Sequence, residues 1–478
     1  MYDVLIIGCG ITGAAAAFQL SRYRLRIAVL ERENDVANGT TKANSAILHA
    51  GYDPEPGTLM ARLNVRGAAL AGELCASLDV PYRQCGSMVA AFSPEEEDTL
   101  RTLLERGREN GVPGLRLITG ERARAMDPAL SPDVTAALYA PTAAICSPWE
   151  YCLALAETAV RNGADLRLET AVTGLERQED GWLVHTDRGD IRSRYVINAA
   201  GVSAQNIHEM AAPGSFTIHP SRGQYYLLDK SEGDRVGHVI FQCPGPSGKG
   251  VLVAPTVHGN LIVGPNAEPV PGEDVGTTAD GLGYVRTTAL KSVPSIGFRD
   301  SIRNFAGVRA ASDRGDFIIE LAAPGFLDLA GICSPGLTAA PAIAEYAAEL
   351  LERDGLELEE KPDFFCRRRR VRFHDLSPAE KAGLVERDPA YGRVICRCET
   401  ITEGEILEAL RCPIPPRSVD GVKRRVGAGM GRCQGGFCGP RVVEILAREQ
   451  GVDPGDIVQD RAGSWLLAER TKGGSAHV

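Results

Sequence analysis

Positive charge is in short supply in this chain. It carries 52 Lys and Arg against 62 Asp and Glu, a formal net charge of −10. That balance excludes a global electrostatic footprint for nucleic acid. Long apolar runs are missing as well. None reaches the roughly 18–20 residues that a membrane span requires, and the longest, near the N-terminus, is interrupted by glycines. The opening Met1-Tyr2-Asp3 lacks the basic region that begins a secretory signal, so a cytoplasmic location is expected. No internal repeat is visible, which removes solenoid architectures.

What is present is ordinary for a globular protein: 44% hydrophobic and 24% charged residues in a chain of 478. That length implies two or three domains. In a reducing compartment the thirteen cysteines do not read as a disulfide framework. Nine are scattered (Cys9, Cys75, Cys85, Cys146, Cys152, Cys243, Cys333, Cys366 and Cys412) and read mostly as small buried hydrophobes. The other four, discussed below, are clustered.

Residues 3–8 form an apolar run suited to a buried parallel strand. Gly8-Cys9-Gly10-Ile11-Thr12-Gly13 follows, then an Ala-rich helical stretch from Ala14 to about Ser21, then a strand from Arg26 to Leu30 that ends in Glu31. Strand, glycine turn, helix and strand fill about 30 residues, one βαβ unit. Further along, a helix is expected near 150–165 and strands at 166–176, 181–186 and 191–198. Short strands with Gly/Pro turns fill 215–265, strand-like sequence 316–332, and a helix about 339–353. The interleaving predicts an α/β protein: a Rossmann-like nucleotide domain built from discontinuous segments of 1–355, with an antiparallel β-rich substrate domain inserted at roughly 80–145 and 210–310. A charged stretch, 356–391, containing Arg367-Arg368-Arg369-Arg370 reads as an exposed linker or docking surface, and a small domain occupies 392–465.

The three glycines have separate physical jobs: a tight turn at Gly8, close approach to a pyrophosphate at Gly10, and close helix–strand packing at Gly13. The helix N-terminus at Ile11 and Thr12 offers free N–H groups to phosphate, and Glu31 stands where a carboxylate accepts ribose hydroxyls. The segment Gly39 to Tyr52 then has the Gly/Thr/Ser content of a loop following an extended cofactor, with Thr40, Thr41, Asn44 and Ser45 as contacts. From here the chain resembles the FAD-dependent amine and hydroxy-acid oxidoreductases of the D-amino-acid-oxidase superfamily. Ala171-Val172-Thr173, Asn198-Ala199-Ala200-Gly201 and Gly331-Ile332-Cys333-Ser334-Pro335-Gly336-Leu337-Thr338 also match. The resemblance implies FAD as resident cofactor and places Val172 by the adenine, Ala200 and Gly201 at the strand-to-turn return, and Gly336, Leu337 and Thr338 facing the flavin.

Cys396-Arg397-Cys398 and Cys433-Gln434-Gly435-Gly436-Phe437-Cys438 form two close thiol pairs that can converge on a metal centre. Structural zinc, unliganded cysteines and a [2Fe–2S] cluster all fit such a pattern. The run Gly429 to Cys438 resembles bacterioferritin-associated ferredoxin, and more closely the version fused to the large subunit of anaerobic glycerol-3-phosphate dehydrogenases; Val422-Lys423-Arg424-Arg425 matches that version too. The resemblance implies a [2Fe–2S] cluster, with Lys423, Arg424 and Arg425 expected to offset its negative charge. A two-electron flavin fused to a one-electron cluster suggests a dehydrogenase passing electrons to another protein, a second flavoprotein or a quinone-linked subunit through which it docks on a membrane.

The reaction requires a base near the flavin. His49 is the first candidate, with His258, in an apparent hairpin turn, behind it. Arg309, in Gly307-Val308-Arg309, matches the anion-binding arginine of glycerol-3-phosphate dehydrogenases, while Arg222 and Tyr225 resemble a stretch of L-2-hydroxyglutarate oxidases. The late turn lacks the Lys and Arg typical of glycerol-3-phosphate dehydrogenases, and Ala310 replaces a usual Pro. The expected substrate is a small anionic secondary alcohol, sn-glycerol 3-phosphate ahead of L-2-hydroxyglutarate; an amine or opine-type dehydrogenase subunit and a pure electron-relay subunit are the alternatives.

Overall fold

The apolar N-terminal run forms strand β1 (Tyr2–Ile7), whose last four residues are buried. It shows no polar–apolar alternation because both faces of the strand are covered. In the computed structural model, which describes residues 1–245 and 250–468, the chain turns through Gly8 at φ +97° into helix α1 (Ile11–Leu20) and returns as β2 (Ile27–Leu30), parallel to β1. Asp165–Arg167 extends the sheet beyond β2. Ile191–Asn198 flanks β1 on the other side, and Phe326–Ala330 follows it. Those five strands are parallel. Val172–Gln178, Gly181–Thr186 and Ile318–Ala323 add antiparallel edges, giving eight strands in a Rossmann-like sheet.

Ala14 to Ala17 are almost fully buried. Their small side chains let α1 pack against two other helices, Pro148–Arg161 and Gly336–Arg353. The strand expected at 166–176 is divided, because the chain turns at Glu169 (φ +53°) between a parallel strand and an antiparallel hairpin. The strand-like sequence at 316–332 is likewise a hairpin.

A second sheet has nine strands, drawn from 87–140 and 218–312. It is mixed rather than wholly antiparallel. Ser87–Ala91 and Val239–Gln242 pair in parallel where the two insertions meet; no hairpin joins them, so nothing imposes the antiparallel direction.

The third unit packs helices Glu403–Leu410, Val419–Val426 and Gly439–Gln450 around Ile406, Val422, Val442, Ile445 and Leu446, beside a two-stranded ribbon. The stretch read as an exposed linker is instead fastened down. Phe364 meets the edge of Phe18 at 5.7 Å, and Arg368 pairs with Glu157 at 2.7 Å with both side chains buried. Arg370 and Arg372 reach Glu150 at 3.1 and 3.4 Å. Glu150 and Glu157 lie on the buried face of helix Pro148–Arg161, where an unpaired carboxylate is costly. The arginine run supplies their counter-charges.

Candidate active site

A cavity of about 1810 Å³ runs from the end of β1, past the nine-stranded sheet, to the loop of the third unit that carries Gly427, Met430 and Gln434. Its first part is built by the glycine turn. A Cβ on Gly13 would stand 2.0 Å from the Gly8 carbonyl oxygen, so Gly13 is a packing residue and does not itself line the cavity, whereas Gly8, Gly10, Ile11 and Thr12 do. Ile11 N–H donates to Thr41 Oγ1 at 2.9 Å, tying the helix start to the following segment. Glu31 accepts the Cys9 and Glu33 N–H groups at 2.8 and 3.0 Å. Burial raises its pKa, partly opposed by those two donors.

Thr40, Thr41, Asn44 and Ser45 continue the wall, with Val172, Ala200 and Gly201 opposite. Asn44 donates to the Thr41 carbonyl and accepts from Ala46 N–H, both at 2.8 Å, which fixes the loop. Buried Asn38 Nδ2 and Ser147 Oγ, on residues that line the cavity, have no hydrogen-bond partner among the described residues. Polar cradle, buried acid, helix N-terminus and unpartnered donors together fit a long dinucleotide.

The second part of the cavity lies under the nine-stranded sheet. Thr40 Oγ1 donates to the Val308 carbonyl at 2.6 Å, and a Cβ on Gly307 would stand 1.9 Å from the Ala43 carbonyl oxygen. Only glycine lets strand Ser301–Ser312 approach the cofactor loop so closely, and this brings Arg309 to the cavity wall. Arg309 donates to the Asn266 carbonyl at 3.2 Å; among the described residues no carboxylate stands within ion-pair distance of it. His49 is held at its backbone by Thr338 Oγ1 (2.8 Å), stacks on Phe241 with centroids 5.8 Å apart, and has Nε2 3.3 Å from Ser334 Oγ. Thr338 itself is fully buried and supports His49 instead of lining the cavity, while Gly336 and Leu337, opening helix Gly336–Arg353, do line it.

Tyr225 lines the cavity, stacked on Phe305 at 4.8 Å. Arg222 does not: its guanidinium is clamped by Glu268 and Asp274, both at 2.8 Å. Two carboxylates neutralise it, so it is a structural ion pair. His258, in the turn Thr256–Asn260, stacks on Trp149 at 5.9 Å beside Glu150, and burial lowers its pKa.

In the third unit Cys398 Sγ and Cys433 Sγ are 3.8 Å apart, and Cys396 shares a hydrogen bond with Cys438. Among the described residues no group of three or more His, Cys, Asp or Glu side chains is arranged to hold a metal ion. Four cysteine thiols are the ligand type and number that a [2Fe–2S] cluster would take. The Cys438 thiol, Gly429 N–H and Glu399 N–H draw the Cys396 pKa down, and Phe437 and Gly435 N–H do the same for Cys433. Cys438 stands at the N-cap position of helix Gly439–Gln450, and the hydrogen bond it shares with Cys396, together with burial, pushes its own thiol up.

Arg424 and Arg425, expected to offset the cluster's charge, are instead committed to buried ion pairs with other carboxylates. Arg425 clamps Asp35 through both Nη atoms at 2.8 and 2.9 Å, and Arg424 reaches Asp35 at 2.9 Å and Asp460 at 3.0 Å. Asp460 also pairs with Lys42, and its carbonyl accepts from Asn34 at 2.8 Å. The third unit is therefore riveted beside the dinucleotide cleft. Lys423 stays at the cavity wall, paired with Asp420 at 3.3 Å.

Residues 3–350 match the FAD dependent oxidoreductase family. The chain belongs to that family. This oxidoreductase also matches the BFD-like [2Fe-2S] binding domain over 394–448, so its redox groups are FAD and a [2Fe–2S] cluster. It is 49% identical over 476 residues to the glycerol 3-phosphate dehydrogenase of Caloramator mitchellensis, covering 99% of each chain. It is 33% identical over 283 residues to the mitochondrial L-2-hydroxyglutarate dehydrogenase of Homo sapiens, or 56% of this chain and 61% of that one. Among solved structures, the dithionite-reduced L-α-glycerophosphate oxidase of Mycoplasma pneumoniae with FAD bound superposes with a TM-score of 0.72 at 31% identity, covering 77% of this chain and 98% of that one. No helix among the described residues is long and apolar enough to cross a membrane.

Sequence reasoning missed Asn266, whose carbonyl holds Arg309 and whose side chain accepts Gln224 N–H at 2.8 Å. It also missed Asp35. Neither sits in a recognisable motif; only the pairing of distant segments exposes them.

Proposed function

We propose that this flavoenzyme oxidises sn-glycerol 3-phosphate to dihydroxyacetone phosphate and sends the electrons through its cluster to a partner protein. The observation that carries the reading is the likeness to the Caloramator enzyme, which spans both the catalytic part and the thiol-bearing unit. The geometry suits it. Arg309 presents a guanidinium without a carboxylate, a planar fork matched to phosphate oxygens. His49 faces the same cavity, held from behind by Thr338 and stacked on Phe241, and takes the proton of the carbinol hydroxyl. Tyr225 and Phe305 supply a flat apolar wall that limits water. Bound FAD would supply a two-electron acceptor and a bound cluster a one-electron one. The assigned ligands are Cys396, Cys398, Cys433 and Cys438. Thirteen cysteines with no disulfide among them accord with a cytoplasmic site of action.

L-2-hydroxyglutarate is the second reading. It is favoured by the absence of cationic residues in the turn Ser334 to Pro341 and by the likeness to the human enzyme. Anaerobic flavin bleaching by each compound separates the two. Rapid bleaching by glycerol 3-phosphate is expected; bleaching by hydroxyglutarate alone transfers the assignment, and bleaching by neither ends both.

A further inference from the structure

We propose that the exposed side of the cluster-binding unit is the docking face for an acidic one-electron carrier protein. The inference rests on the reading that electrons leave through the cluster, and it names the chemistry of their recipient. Of the four thiols, Cys396 and Cys438 are buried while Cys398 and Cys433 are exposed. An exposed arginine precedes each exposed cysteine, Arg397 and Arg432. The Arg397 guanidinium lies 4.5 Å over the ring of Phe437, which is 54% exposed. Arg432 reaches Asp229 at 2.6 Å, but its own side chain stays 72% exposed; among the described residues Arg397 has no carboxylate partner.

A large aromatic side chain held in water beneath a cation has no packing purpose. Aromatic and arginine side chains are the types that dominate binding energy at protein interfaces. The sign of the charge identifies the occupant. The chain as a whole carries −10, so an acidic partner meets net repulsion from the protein and is drawn to the rim where arginines flank the exposed thiols. Such complementarity raises encounter rates by about 10–1000-fold and orients the encounter. A basic carrier would instead be scattered over the acidic remainder. One turnover gives glycerol 3-phosphate + 2 oxidised carriers → dihydroxyacetone phosphate + 2 reduced carriers + 2 H⁺, each carrier taking one electron at this face.

The test uses the holoenzyme with two probes of opposite charge: the acidic soluble domain of cytochrome b5 and basic cytochrome c. The second-order rate of cytochrome b5 reduction should fall as ionic strength rises, and Arg397→Glu should lower it about tenfold at low salt while raising that of cytochrome c. Calorimetric affinity for oxidised cytochrome b5, measured without substrate, should weaken in parallel; Phe437→Ala should weaken it while leaving the salt dependence in place. Visible absorbance confirms an intact cluster in each variant. If substrate bleaches the flavin yet cytochrome b5 reduction ignores both salt and Arg397, the docking face is overturned and the catalytic reading survives. If substrate fails to bleach the wild-type flavin, the catalytic reading fails, and binding of oxidised cytochrome b5 still decides the docking face.

Discussion

A single arginine separates what this sequence discloses from what it conceals. Arg309 resembles an anion-binding arginine and Arg222 falls in a stretch resembling L-2-hydroxyglutarate oxidases, yet only Arg309 reaches the cavity. Successive residues of a strand point to opposite faces, so positions three apart cannot share one. Arg222 and Tyr225 are three apart in strand Ile218–Leu228; Ser221, Tyr225 and Leu227 line the cavity, and Arg222 faces Glu268 and Asp274. The period-two rule alone could have struck one of them from the list. Arg309→Ala should raise KM for glycerol 3-phosphate by the loss of a charged pair, about 2–5 kcal/mol, with Arg309→Lys intermediate; steady-state kinetics with a dye acceptor check this. His49→Gln should slow anaerobic flavin bleaching about 10²–10⁴-fold with the flavin-to-protein ratio unchanged. A variant that bleaches at the wild-type rate would remove His49 as the base.

At the level of elements, the nucleotide motif was the most legible part, because its chemistry is written locally: strand, glycine turn, helix and acid fall within 31 residues of the N-terminus. Gly13→Ala would drive a Cβ to 2.0 Å from the Gly8 carbonyl oxygen. The expected product is folded protein with substoichiometric flavin, read from the ratio of 450 nm to 280 nm absorbance. Gly307→Ala should act differently. Its Cβ meets the Ala43 carbonyl oxygen, in the loop between the cofactor wall and Arg309, so flavin content and substrate affinity should fall together. The basic run Lys423-Arg424-Arg425 was legible as important but not as to purpose. Its helix, Val419–Val426, turns Arg424 and Arg425 into the junction with the nucleotide domain, and no local pattern announces a partner as remote as Asp35.

Across the whole molecule, that junction joins the two redox units. Asp35, Arg424 and Arg425 are nearly inaccessible, and breaking one partner of a buried ion pair costs about 3–5 kcal/mol. Asp35→Ala should therefore lower the melting temperature and loosen flavin, both measurable by fluorescence. Burial pushes the Asp35 carboxyl up, but Arg425 and then Arg424 outweigh it and hold it below the usual aspartate range. A depressed carboxylate stabilises fully above its unfolded value, near 4, and that contribution disappears as pH falls below it. Flavin retention should thus weaken as acid is added below about pH 4, and Asp35→Asn should sit near the acid limit at every pH. The same junction carries Asp460 and Arg461 into the wall of the dinucleotide cleft. Small metal-built units commonly fold only when loaded. Cells starved of iron would then accumulate chains whose vitamin-derived cofactor leaks from an unfinished wall, so that supply of one nutrient governs how much of the other the enzyme retains.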